Sequence, residues 1–128
     1  MKTSRGFSLI EVIVSVFIVG VMLTLLQAII RSSVLVRTSK NQGIALAIAR
    51  NELENLRTGG YATLPSNGSF SNNLIEMLPQ AATTTLTVST YNPKTQKVIV
   101  SVTWLDSGAT ASSTVTLSTL ITQTGGLP

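Results

Sequence analysis

The run from Phe7 to Ile30 limits this chain more than any other feature, because its 24 residues contain a single formally charged side chain, Glu11. At 1.5 Å of rise per residue this is roughly 36 Å of helix, longer than the ~30 Å hydrocarbon core of a bilayer. A cleaved secretory signal has an apolar stretch of only about 7 to 15 residues. The run therefore reads as a membrane anchor. An acidic side chain at the centre of such an anchor costs about 2.5 to 3.5 kcal/mol and needs a partner. The basic stub Lys2 and Arg5 precedes the run and no cation lies within it, so the partner of Glu11 is expected from outside this helix.

A chain of 128 residues leaves room for one small domain beside the anchor, not for a large catalytic core. Cysteine and histidine are both absent. Their absence excludes a disulfide staple, Ser-His-Asp and Cys-His nucleophilic sites, and zinc sites built from nitrogen or sulfur ligands. No acid-base pair is visible either, so no enzyme, cofactor or metal is expected. The formal charge is +4. The basic residues are scattered, whereas nucleic-acid binding needs a patch or stripe, so nucleic acid is not favoured as a partner. Arg31, Arg37 and Lys40 group loosely after the apolar run and read as an anchor at the membrane surface. With Lys2 and Arg5 on the other side, the charge count alone does not orient the span.

Beyond Ile30 the helical pattern continues in another solvent. Leu35, Thr38, Gln42, Ala45, Ala49, Leu53 and Leu56 recur every three or four residues as one stripe, opposite Ser39, Lys40, Asn51, Glu54 and Asn55. Arg57 in the last turn and Gly59-Gly60 beyond it form a stop signal. One helix is expected from about Phe7 to about Thr58, roughly 75 Å long if unbroken. No proline interrupts it, and Gly20 and Gly43 are its weak points, each costing about 1 kcal/mol against alanine. Gly20 admits a functional reading, local melting during assembly or a close approach of another helix, and a plain one, a tolerated small residue in a membrane span.

Tyr61 to Ala82 reads as a connecting loop punctuated by Pro65, Asn67-Gly68, Asn72-Asn73 and Pro79. A short helical turn is expected at Asn73 to Leu78, with Leu64, Phe70, Leu74, Ile75, Met77 and Leu78 folding part of the loop onto the helix. Asn67-Gly68-Ser69 fits a glycosylation sequon, a pattern short enough to arise by chance. The last third alternates with the period of strands: Thr85 to Thr90, Lys97 to Trp104 and Ser113 to Thr122, joined by turns at Tyr91 to Gln96 and Asp106 to Ala111. Leu86, Val88, Val98, Val100, Val102, Trp104, Val115 and Leu117 fall on one face. That face must be covered, and the helix stripe is the natural cover. The expected fold is α+β, a long N-terminal helix packed on a small three-stranded antiparallel sheet, with Trp104 in the core.

Gly6-Phe7-Ser8-Leu9-Ile10-Glu11-Val12 after Lys2 and Arg5 resembles the class III leader junction of type IV pilin-like proteins. The resemblance implies five segments: a prepilin leader at 1–6, a transmembrane and filament-core half of the helix at 7–30, an amphipathic half at 31–58, a connecting loop at 59–82 and a β-meander at 83–124. It implies cleavage between Gly6 and Phe7 by a prepilin peptidase, N-methylation of Phe7, and a role for Glu11 as the partner of a neighbouring subunit's Phe7 amine. Pairing of that kind is how buried charges become tolerable. Expected partners are the peptidase, other pilin or pseudopilin subunits, inner-membrane lipid and an assembly platform protein. The chain would sit in the bacterial inner membrane before assembly and in a periplasmic or extracellular filament after it.

Within that family the stretch from Ala45 to Leu64, with Tyr61 after the helix, resembles the post-anchor helix of minor pilins and of minor type II secretion pseudopilins. Three features depart from major subunits: no C-terminal disulfide, no proline near Ala28, and no acidic calcium loop, since only Glu76 and Asp106 are acidic after the helix. A minor pilin is the first expectation and a minor pseudopilin the second. A single-pass anchor that displays a surface-binding domain is the alternative from another class.

Overall fold

The computed structural model describes residues 6–79 and 81–123. Most of the leader, with Lys2 and Arg5, and the final position of the expected meander, 124, lie outside the described residues. The element order is α1 (Leu9–Gly59), two short 3-10 turns (Tyr61–Thr63 and Asn73–Met77), then β1 (Thr83–Asn92), β2 (Thr95–Trp104) and β3 (Ser113–Thr122). The chain is α+β as expected: one long N-terminal helix and a three-stranded antiparallel sheet in the order β1-β2-β3. It divides into two compact units, Met1–Arg37 and Thr38–Pro128.

The first unit is the apolar part of α1. Its helix is long and apolar enough to cross a membrane, and none of its apolar window is buried within the protein. Phe7, Leu9, Ile10, Phe17, Met22 and Ile29 are all exposed. A helix apolar on every side is stable only where lipid or other helices replace water. Ser15, Thr24 and Ser33 donate their hydroxyls back to the carbonyls of Glu11, Val21 and Ile29, so these three hydroxyls are already satisfied in an apolar surround.

The second unit packs the remainder of α1 on one face of the sheet. Ala45, Ile48, Ala49 and Leu56 from the helix meet Leu86, Val98, Val100, Val102, Trp104 and Ile121 from the strands. Alanine at 45 and 49 leaves no bulk between backbone and sheet, which lets the helix lie close to the valines of β2. The expected stripe is out of phase at two positions. Leu35 and Gln42 are exposed, while Asn41, Ile44 and Ile48, absent from that stripe, are buried or half-buried. Gln42 stands about 100° round the helix from Asn41, so a stripe running through Asn41, Ala45, Ile48, Ala49 and Leu56 turns Gln42 to solvent. A polar residue, Asn41, begins the buried face and hides its phase.

Helix α1 stops at Gly60, whose N–H donates to the Leu56 carbonyl at 3.1 Å and whose φ of 79° and ψ of 178° lie in a region essentially reserved for glycine. The loop folds back as expected. Leu78 is buried and Leu64, Phe70, Leu74 and Ile75 pack against the core, whereas Met77 is exposed. Asn72 starts the turn at Asn73–Met77 by accepting the Leu74 N–H at 2.9 Å. β1 and β2 extend beyond the expected bounds, and their connection shrinks to Pro93-Lys94. Asn92 accepts the Lys94 N–H at 2.9 Å, and a register shift between Thr90 and Asn92 absorbs the extra residue. Between β2 and β3, Ala109 donates to the Asp106 carbonyl at 3.0 Å and Gly108 takes a φ of 81°, the mark of a type II turn.

Burial pushes the Glu52 carboxyl up from the ordinary carboxylate range. Between the unfolded and the folded pKa the folded protein keeps a proton that the unfolded chain releases. Its contribution to stability is intact below the unfolded pKa and is lost as pH rises through the folded one. Glu52→Gln is expected to raise the melting temperature at pH 7 by more than at pH 4. Equal shifts at the two pH values would contradict this assignment.

Candidate functional site

The N-terminal end of α1 is held open to its surroundings. Ser8 begins the helix: its carbonyl accepts the N–H groups of Glu11 at 2.9 Å and Val12 at 3.2 Å. Gly6 and Phe7 precede the first turn in non-helical backbone and are exposed, Phe7 to 81%. A peptide bond between two such residues presents no folded barrier to a protease, and no Cβ built at Gly6 would meet any atom within 4 Å.

Glu11 lies in the first turn of α1. A carboxylate there benefits from the unpaired N–H groups and the positive end of the helix dipole by about 0.3 to 1 kcal/mol. Its side chain is exposed, and among the described residues no cation lies within ion-pair distance of it. Gly6, Phe7 and Glu11 therefore share one helix end. Cleavage of the Gly6–Phe7 bond would leave a new amine at Phe7, four residues before Glu11 and within about one helical turn of it. Arg31, Arg37 and Lys40 are exposed on the same helix.

The second unit offers little reactive chemistry. Among the described residues no three His, Cys, Asp or Glu side chains gather to hold a metal ion. Among the described residues of this unit one ion pair is found, Arg57 with Glu54 at 3.9 Å on the exposed helix surface, a contact worth little. An open cleft of about 570 Å³ between helix and loop is lined by amides, Asn51, Asn55, Asn72 and Asn73, with Glu54, Ser71 and Leu74. Among the described residues no hydrogen bond joins its Glu54 carboxylate to the Ser71 hydroxyl.

One polar cluster was not anticipated from the residue pattern. The Asp106 carboxylate accepts from Asn41 Nδ2 at 2.6 Å and from Trp104 Nε1 at 3.0 Å through the same oxygen. Asn41 comes from the helix and Asp106 from the turn after β2, 65 residues apart. The cluster ties helix to sheet and is structural in kind. A polar residue opening an apolar stripe, together with a carboxylate two residues after the lone tryptophan, was the available signal.

Residues 1–26 match the family model of the prokaryotic N-terminal methylation motif. No curated protein and no solved structure matches the chain. The motif indicates a precursor of the type IV pilin-like or pseudopilin kind, and it points to a structural subunit rather than an enzyme. It implies processing by a prepilin peptidase and assembly with other such subunits. With an apolar N-terminal helix it is consistent with anchoring in the inner membrane before assembly into a filament.

Proposed function

We propose, with the methylation motif at residues 1–26 as premise, that this chain is a minor structural subunit of a type IV pilus or related filament. A prepilin peptidase cuts between Gly6 and Phe7 and methylates the Phe7 amine, and the freed helix then enters the filament core. Glu11 takes the Phe7 amine of a neighbouring copy as its counter-charge. The observation that carries the reading is the pairing of that motif with an apolar helix none of whose apolar window is buried. Such a surface needs lipid first and neighbouring helices afterwards. The minor role is supported by the lack of cysteine, of a proline near Ala28 and of an acidic loop after the helix.

Expression of the full chain with and without an active prepilin peptidase tests the reading directly. Mass spectrometry is expected to find a form beginning at methylated Phe7 only when the enzyme is present. A chain that keeps residues 1 to 6 beside an active peptidase would sink the proposal.

A further inference from the structure

The loop between helix and sheet is fastened at several points. Gly68 and Leu86 exchange both backbone bonds, at 2.7 and 3.1 Å, and Asn67 Oδ1 accepts the Val88 N–H at 2.6 Å. The Thr84 hydroxyl also bonds the backbone of Phe70. Residues 67 to 70 thus close the β1 edge from Thr84 to Val88. Just beyond, Asn72 Oδ1 holds the Leu74 N–H, and Leu74 and Ile75 pack against the core. Ser71, Asn72 and Asn73 are carried between these two anchorages and form one wall of the open cleft of about 570 Å³.

The helix supplies the other wall. Asn51 and Asn55 are one turn apart on α1 and share a face of it, with Glu54 beside them. Four carboxamides therefore converge on one cleft, and most of their hydrogen-bonding capacity is unused. Among the described residues the side chains of Asn51, Asn55 and Asn73 bond to no group of the protein, and Asn72 uses only its oxygen.

The composition of the lining selects the ligand. Small-molecule sites of about 300 to 1,000 Å³ are ordinarily apolar with a few polar groups. Here the proportion is reversed, with Leu74 the one apolar lining residue among those described. No lysine or arginine lines the cleft, and Glu54 repels an anion. A lone carboxylate, already 3.9 Å from the Arg57 guanidinium, is too few ligands for a metal ion. An extended peptide draws its specificity from pockets for alternate side chains, which Leu74 alone does not provide. What fits is a neutral molecule rich in hydroxyls. A carboxamide presents a donor and an acceptor side by side. Two neighbouring hydroxyls of a sugar ring do the same, so one asparagine and one diol make a pair of parallel hydrogen bonds.

We propose that this cleft binds a short neutral oligosaccharide. Asn51, Asn55 and Asn73 hold ring hydroxyls, Glu54 accepts from a further hydroxyl, and Leu74 lies against the carbon face of a ring. Each of these bonds displaces water, so the expected dissociation constant is on the order of 1 mM. The site belongs to the second unit and does not rest on the filament reading, which concerns the N-terminal motif.

The test uses the full chain, isotope-labelled at asparagine nitrogen, in micelles of a zwitterionic detergent without a sugar headgroup. Maltotriose and tri-N-acetylchitotriose are the probes. At least one of them is expected to shift the side-chain amide signals of Asn51, Asn55 and Asn73 saturably and to leave that of Asn92, at the end of β1, unmoved. Combining Asn51→Ala with Asn55→Ala changes two exposed helical positions to a better helix former, so the fold is expected to be kept and the affinity to fall at least tenfold. Melting followed by Trp104 fluorescence checks the fold independently of the probes. No saturable shift with either saccharide, equal movement of Asn92, or a folded double variant that binds as tightly as the parent would overturn the proposal. So would an end-capped trialanine peptide that moves the same signals as far at the same concentration, because the cleft would then recognise peptide rather than sugar.

Discussion

Glu11→Ala is expected to be cut after Gly6 as efficiently as the parent chain and then to be nearly absent from filaments. The two steps separate because they use different features of one helix end. On the proposed reading cleavage acts on the Gly6–Phe7 bond, which is exposed and non-helical and precedes the first turn that holds Glu11. Incorporation as proposed brings the Phe7 amine of one copy into a bundle of apolar helices, where an unpaired charge is costly. Removing one partner of a buried ion pair costs about 3 to 5 kcal/mol, because the charge that remains has lost both water and its counter-ion. At about 1.4 kcal/mol per factor of ten, incorporation falls by about a hundredfold or more. Glu11→Gln keeps the shape and removes the charge, so it should fail as badly as alanine if charge is the cause. Immunoblots of sheared filaments against the membrane fraction measure both outcomes. Parent-level incorporation of either variant would remove Glu11 from its role as amine partner.

The parts of this fold that follow from side-chain periodicity could be read directly from the chain. Val98, Val100, Val102 and Trp104 alternate in the sequence because they alternate in the sheet, and β3 has the bounds its pattern implies, Ser113–Thr122. The helix is legible for the same reason. Its buried face was harder to phase, because Asn41 is polar and buried while Leu35 is apolar and exposed. Burial of Asn41 depends on a hydrogen bond to Asp106 that no local pattern encodes. The closure of the β1 edge was hidden for a different reason. The Gly68–Leu86 bonds are made by backbone, and backbone groups are alike at every residue. At the N-terminal end the linear order of Gly6, Phe7 and Glu11 lies within the matched motif at residues 1–26, and the roles proposed for the three residues rest on that order.

Trp104→Ala is expected to cost about 3 to 5 kcal/mol, which is large beside the 5 to 15 kcal/mol that holds a typical domain together. Trp104 is 2% exposed and is the largest of the fully buried side chains. Its removal leaves a cavity between helix and sheet and also strips a donor from Asp106. For a unit of this size each kcal/mol moves the melting temperature by about 4 to 8 °C, so a fall of more than about 12 °C is expected. Asp106→Ala and Asp106→Asn then separate packing from polar satisfaction. Alanine leaves Asn41 Nδ2 and Trp104 Nε1 without their acceptor, and each orphaned buried donor costs about 1 to 3 kcal/mol. Asparagine retains a carbonyl oxygen that both donors can reach, and loses only the added strength that an ionised acceptor gives its hydrogen bonds. The expected order of destabilisation is therefore alanine well above asparagine at position 106. Because Trp104 is the sole tryptophan, its fluorescence follows the melting of both Asp106 variants, while circular dichroism follows Trp104→Ala. If the two Asp106 variants melted together, the cluster would contribute charge rather than hydrogen bonding, and the link between Asn41 and the turn after β2 would not hold the helix to the sheet.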